Sequence, residues 1–283
     1  MSASYSDIKP RKRSSRHVWF HGDCQELLTS IEDESVSLVL TSPPYNVGKE
    51  YEERLDLSKY LVWQRKVIGE CVRATKKTGS ICWQVGNYAR KGRIVPLDIL
   101  LYPIFREFGL QLRNRIIWHY PHGLHFTNRF SGRYETVLWF TRSDSYYFDL
   151  DAVRVPQKNP RKKHFKGPKK GQFSCNPLGK NPGDVWELSN IKFNHPEKIN
   201  GGHPCQMPLT LVDRLILSLT QKEDLILDPF GGSGTTVVAA KKHGRVGLGA
   251  EIEKKYFLIG EKRLAELQPS RNSGKRPPSD ITL

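Results

Sequence analysis

Cysteine is sparse in this chain: Cys24, Cys71, Cys82, Cys175 and Cys205 are odd in number, scattered and never spaced as C-x-x-C. That pattern argues against both a disulfide framework and a zinc site, and no metal is expected. Long apolar runs are missing too. Nothing approaches the roughly 20 residues of a spanning helix, and the first residues lack a signal-peptide apolar segment, so the expectation is a cytoplasmic protein with no membrane partner. There is no G-K-[ST] to hold a triphosphate, and Gly231, Gly232 and Gly234 do not make the G-x-G-x-x-G of a dinucleotide site. No internal repeat is seen. Acids are scarce relative to bases, 29 Asp and Glu against 45 Lys and Arg, a formal charge of +16. A solvated surface does not need that excess; it points to a polyanionic partner, nucleic acid first.

What is present fits one large α/β domain with an appended module, since 283 residues exceed the usual size of a single small domain. Residues 1–16 are polar and basic, the composition of a disordered arm. From His17 onward strands alternate with helices. Strands are predicted at His17–Phe20, Val36–Leu40, Ser80–Val85, Leu112–Trp118, Tyr134–Thr141, Leu225–Asp228 and Val246–Glu251. Helices are predicted near Gln25–Ser30, around Leu61–Val72, at about Pro96–Phe108, Pro208–Leu219 and Gly234–Lys242, and at the end through Leu264. Lys76-Lys77-Thr78-Gly79 has the form of a basic last turn with a glycine stop. The alternation predicts a mainly parallel sheet with helices on both faces.

Two loops carry chemistry. Asp228-Pro229-Phe230-Gly231-Gly232-Ser233-Gly234-Thr235-Thr236 follows an apolar strand and opens a helix, and Glu251 ends the next strand. Glycines allow close backbone approach, a helix start offers free N–H groups, and an acid at the neighbouring strand tip accepts from ribose hydroxyls. With triphosphate and dinucleotide disfavoured, an adenosyl ligand is left. Earlier, Thr41-Ser42-Pro43-Pro44-Tyr45 ends a strand. The two prolines fix the backbone, so Ser42 and the main-chain carbonyls can accept from an exocyclic NH₂ while the Tyr45 ring stacks on a planar base.

Together these loops resemble the DNA amino-methyltransferases, in the permuted class whose catalytic loop precedes the cofactor loop. The resemblance covers most of residues 17–267. It includes Gly22-Asp23, Arg115-Ile116-Ile117-Trp118, Arg133-Tyr134-Glu135, His203-Pro204-Cys205-Gln206-Met207-Pro208 and Gly249-Ala250-Glu251; relatives often carry lysine where Met207 stands. It implies the Rossmann-like S-adenosylmethionine-dependent methyltransferase fold, a seven-stranded mainly parallel sheet with one antiparallel strand. It also implies S-adenosylmethionine held by Asp23, Thr41, His203, Pro204, Gln206, Pro208, the Asp228–Thr236 loop and Glu251, and a reacting loop of Ser42, Pro43, Pro44 and Tyr45. Serine before Pro-Pro-Tyr usually accompanies N4 of cytosine in this family, and aspartate or asparagine N6 of adenine. Cytosine is favoured and adenine is the alternative. The amine would be reached by flipping the base out of duplex DNA. A cognate restriction endonuclease is the company such enzymes keep; no nuclease motif is present in this chain, and monomer and homodimer stay equally open.

The implied layout is a catalytic half at 17–143, a target-recognition insert at 144–202, a cofactor half at 203–268 and a flexible tail at 269–283. Between Ala152 and Gly183 there are nine Lys or Arg and no Asp or Glu. Lys158, Lys162, Lys163, Lys166, Lys169 and Lys170 suit phosphate contacts, and Arg154, Arg161, Asn159 and Gln172 are candidate base readers; a charged loop that supplies affinity alone is an equal reading. The Trp118–Gly123 stretch reads as a loop near the flipped base. Pro204-Cys205-Gln206 also resembles the Pro-Cys-Gln of cytosine C5 methyltransferases, but the loop order is reversed and no Glu-Asn-Val triplet occurs. A non-catalytic DNA-binding protein on this fold and an RNA substrate are the remaining alternatives.

Overall fold

A strand buried on both faces is mostly apolar and sits centrally in a parallel sheet, and β2 (Val36–Thr41) has that character, with every residue buried and its two polar side chains, Ser37 and Thr41, hydrogen-bonded to Asp224 and Asp228. It lies between β3 (Thr75–Val85) and β9 (Leu225–Asp228), parallel to both. The computed structural model describes residues 17–50, 52–90, 92–123, 125–192, 194–199 and 201–267; the arm expected at 1–16 and the tail expected at 269–283 lie outside the described residues.

Outward from β9 come β10 (Val246–Glu251) and β1 (Val18–His21), both parallel. Outward from β3 come β7 (Tyr134–Thr141), β6 (Gln111–His119) and β8 (Val185–Glu187), giving the order β1-β10-β9-β2-β3-β7-β6-β8. β7 runs antiparallel to both neighbours, and β6 pairs parallel with β8. The expected seven strands with one antiparallel are all there, extended by an eighth, three-residue edge strand from the basic insert. A separate hairpin joins β4 (Asn87–Arg90) to β5 (Arg93–Pro96).

Alternation along the strands divides the core. Val39, Ile81, Trp83, Leu138, Phe140 and Leu227 face α1 (Cys24–Thr29), α2 (Leu57–Ala74) and α3 (Leu97–Glu107). Leu38, Leu40, Cys82, Val137, Trp139 and Ile226 face α4 (Leu209–Leu219) and α5 (Thr235–Lys242), with α6 (Lys254–Glu266) beside α5 and β1. Pro208 caps α4, a place where its missing N–H costs nothing.

One local expectation fails. Helix α2 ends at Ala74, and Lys76–Gly79 belongs to β3, where the pairing with β2 slips between Val36 and Leu38. A Cβ on Gly79 would lie 2.7 Å from Thr75 Cγ2 and 3.0 Å from the Ser37 carbonyl, so the glycine serves a close strand approach rather than a helix stop.

The insert leaves β7 at Thr141, opposite Ser80 and Gln111, the sheet edge away from the Ser42 loop. Arg113 pins the exit through Thr141 Oγ1, the Ser143 carbonyl and Asp144. The chain then passes a 3₁₀ turn, Asp151–Val153, and a finger braced by the bridges Val155–Lys180 and Lys163–Phe173, returning as β8. Among the described residues no helix is long and apolar enough to cross a membrane.

Candidate active site

The carboxyl ends of β1, β10, β9, β2 and β3 share one edge of the sheet, where a doubly wound fold binds ligands. There a cavity of about 340 Å³ is lined by Asp23, the Ser42–Asn46 loop, Trp63, His203, Cys205, Met207, Pro229–Ser233, Thr235, Glu251 and Ile252, among others.

The Ser42–Tyr45 loop is held from several directions. Tyr60 donates to the Pro44 carbonyl at 2.8 Å and receives a hydrogen bond from Gln64 at 3.1 Å. Asn46, at φ 59°, exchanges two hydrogen bonds with the backbone of Leu55, and the Glu52 carboxylate accepts from the amides of Asn46, Val47 and Gly48. These bonds make the segment after the prolines a braced strap over the cavity.

Tyr45 is oriented by its hydroxyl. It lies 3.0 Å from both Gln84 Oε1 and Glu135 Oε2 and 3.4 Å from Ser42 Oγ, and Gln84 Nε2 donates to the same Glu135 oxygen. A phenol has one proton, and the carboxylate is the stronger acceptor. Burial pushes the Glu135 carboxyl up, opposed by the hydrogen bonds from Tyr45 and Gln84; burial, with Glu135 beside it, pushes the Tyr45 phenol up. Gly86 makes this approach possible, because a Cβ there would lie 2.9 Å from Tyr45 Cε2 and 3.2 Å from Glu135 Cγ.

On the opposite wall, α5 starts at Gly234, whose φ of 77° favours glycine. The Glu251 carboxylate accepts from the amides of Gly232 and Glu253, each at 2.8 Å, and burial raises it to about 7. Phe230 packs against Trp63 and Trp83 at 5.4 and 6.1 Å. Asp23 caps α1 through Gln25 N at 2.8 Å. Burial lowers His203 to about 4, so its imidazole is neutral at pH 7, edge-on to Tyr256 at 4.7 Å.

Of the residues expected from sequence, Ser42, Pro43, Pro44, Tyr45, Asp23, His203, Pro229, Phe230, Gly231, Gly232, Ser233, Thr235 and Glu251 line the cavity. Thr41, Asp228, Gly234 and Thr236 stand behind its wall. Thr41 Oγ1 donates to Asp228 Oδ1 at 2.6 Å, which also accepts from Phe230 N, and burial raises Asp228 to about 6; this pair ties β2 to β9 beneath both loops. Pro204, Gln206 and Pro208 are likewise off the lining, and Gln206 Nε2 donates to the Glu197 carbonyl. Gly231 is also approached closely by protein: a Cβ there would lie 2.4 Å from the Trp19 ring, which also crowds the places of side chains at Gly249 and Gly260.

Lining residues not anticipated include Asn46, Glu52, Tyr60, Trp63 and Ile252; Glu135, Gln84 and Gly86 act one layer back. Met207 is buried on the cavity wall. Lys49 Nζ reaches Cys205 Sγ across the rim. In the insert, Lys158, Arg161, Lys162, Lys163, Lys166, Lys169 and Lys170 are exposed. Arg154, by contrast, is bound to Asp151 and to the Gly179 carbonyl with its side chain 15% exposed. Among the described residues no group of His, Cys, Asp and Glu is arranged for a metal ion.

The fold and the cavity define the class: an α/β domain of the S-adenosylmethionine-dependent methyltransferase type. The solved PvuII DNA methyltransferase (cytosine-N4-specific) superposes with a TM-score of 0.69 at 24% identity, covering 92% of this chain and 91% of that one, a likeness of fold. A modification methylase of Thermus thermophilus, TTHA0409, solved in complex with S-adenosyl-L-methionine, superposes at 0.60 with 28% identity over 88% and 95%. Type II methyltransferase M.BglII of Bacillus subtilis is 49% identical over 255 residues, 90% of this chain and 70% of its own length. Residues 36–262 match the N6/N4 DNA methylase family, and the chain belongs to it.

Proposed function

We propose that the protein methylates the exocyclic N4 amine of cytosine in a short duplex DNA sequence, using S-adenosylmethionine, as a permuted-class enzyme. The observation that carries the reading is the Ser42–Tyr45 loop held rigidly on the same cavity as the Phe230–Glu251 wall. The residues present suit the cofactor: apolar Phe230, Pro229, Trp63 and Ile252 for a purine, Glu251 for ribose hydroxyls, and Asp23, one of whose oxygens is committed to α1, for a further donor. The cavity volume falls within the range of small-molecule sites. When bound, S-adenosylmethionine supplies a methyl group activated on its sulfonium.

The base amine is a poor nucleophile because its lone pair is delocalised into the ring. Ser42 Oγ and the Pro43 carbonyl accept hydrogen bonds from its two N–H groups, localise the lone pair on nitrogen and fix its direction. Tyr45 presents its ring to the face of the base while Glu135 and Gln84 hold the hydroxyl. Serine in place of an acid at position 42 supports cytosine over adenine. The exposed lysines of residues 158–170 serve as phosphate contacts of a target-recognition insert spanning 144–202. A companion restriction endonuclease completes the proposed setting.

The test is to incubate purified protein with unmodified DNA and tritiated S-adenosylmethionine, digest to nucleosides and identify the labelled one. N4-methylcytosine is expected. N6-methyladenine overturns the base, and absence of label with cofactor bound overturns the catalytic reading in favour of a binding protein.

A further inference from the structure

The loop between β6 and β7 leaves the sheet beside the cavity. His119 pairs with Tyr134 at its base, Tyr120 N donates to the Arg133 carbonyl at 2.9 Å, and the next residue along β7 is Glu135, which holds Tyr45. The basic insert departs from the opposite edge of the sheet and its end returns through β8 beside this loop. An element that enters the duplex next to a flipped base can therefore be supplied by the described residues between His119 and Tyr134.

The tip of this loop is structured. Phe126 N donates to Ser131 Oγ at 3.2 Å, the Arg129 guanidinium sits 4.0 Å over the Phe126 ring, and Asn190 Nδ2 donates to the His122 carbonyl. Within that frame Phe130 is fully exposed and takes no part in the Phe126–Arg129 stack. A single exposed apolar side chain is ordinary. One projected from a braced turn, flanked by Arg129 and Arg133 and tethered to the catalytic tyrosine's anchor, has the form of an apolar wedge that unstacks a base step while neighbouring cations meet phosphate.

We propose that Phe130 inserts into the base stack at the target pair and holds open the space left by the extruded base. The inference rests on the base-flipping reading above and deepens it by naming a positioning residue. It contacts DNA but not the reacting atoms, so its loss is felt in extrusion and not in cofactor binding.

The experiment uses the full chain, with the target site identified by sequencing of methylated DNA. Phe130→Ala and Phe130→Trp are compared with wild type on a matched duplex and on one whose target base faces an abasic position, with retention of tritiated S-adenosylmethionine measured in parallel. Phe130→Ala is expected to lose at least tenfold in kcat on the matched duplex, to bind cofactor as wild type does, and to recover most of the rate on the abasic duplex, where extrusion is already favoured. Phe130→Trp is expected to stay within threefold of wild type on both. An alanine variant as active as wild type on matched DNA, or equally impaired on both duplexes, overturns the wedge. Wild type that labels neither duplex overturns the methyltransferase reading itself, so the two failures are distinct.

Discussion

Replacing Gly86 with alanine tests whether the hydroxyl anchor of Tyr45 governs the rate. The backbone at Gly86 is not in the left-handed region, so the new methyl acts through space alone. It would lie 2.9 Å from Tyr45 Cε2, whereas ordinary contact begins near 3.4 Å, so the ring must retreat by about half an ångström. Glu135 Cγ, 3.2 Å away, blocks the other direction. A misplacement of about 1 Å near the chemistry costs on the order of 100-fold, and half of that gives roughly tenfold in kcat. Overpacking of this kind costs about 1–3 kcal/mol, at about 2–4 °C of Tm per kcal/mol for a chain of this size. Initial rates of tritium transfer at saturating DNA and cofactor, with calorimetry and cofactor binding on the same preparation, separate the effects. Cofactor affinity should hold, since Gly86 and Glu135 are off the lining. Full kcat in Gly86→Ala would refute the idea that the Glu135–Gln84–Tyr45 arrangement sets the geometry.

The pH dependence of stability should show Glu251. Its ordinary value of 4.5 rises to about 7 on folding, so between those values the native state binds more protons than the unfolded one, and stability falls as pH rises through that window. Calorimetry from pH 4.5 to 8 without cofactor should find a shallower decline in Glu251→Gln, together with weaker cofactor binding; an unchanged slope refutes it. Cys205→Ser should keep most of the activity, because the thiol sits at the rim beside Lys49; complete inactivity with normal cofactor binding would restore the C5-type attack. Neutralising Lys162, Lys163, Lys169 and Lys170 together should weaken DNA binding and flatten its salt dependence, by up to about 0.9 in the log–log slope for each phosphate that no longer meets a cation. An unchanged slope would exclude this segment from the phosphate-binding surface.

Strands and helices of the sheet core were legible because burial on both faces leaves a mainly apolar signature, as in Val36–Leu40 with only Ser37 polar. β8 was not: Val185, Trp186 and Glu187 are too few to show a period, and they become a strand only because the edge of β6 is free to pair. Lys76–Gly79 misled because a basic turn closing on glycine is locally indistinguishable from a helix end; the approach of the Ser37 carbonyl to Gly79, from far earlier in the chain, decides the matter. The same limit applies to the site. Ser42 and Glu251 announce themselves by local pattern, but Thr41 and Asp228 have identical local credentials and face each other inside the wall. Glu135, Gln84 and Gly86 matter only through contacts across three separate segments, which no window of sequence contains.

The sheet pairs its first strand with its last. β1 takes its register from β10, and Trp19, whose indole N–H donates to the Phe257 carbonyl at 2.8 Å, fills the hollow left by Gly231, Gly249 and Gly260. During synthesis Val18–His21 therefore emerges early and has no edge to join until Val246–Glu251 has been made. At about 5–20 residues per second that wait lasts on the order of 10–50 s. The glycine-rich loop can take its final path only once the Trp19 ring has arrived, which makes ligand-binding competence a late event in biogenesis and leaves a nascent edge strand to be shielded in the meantime.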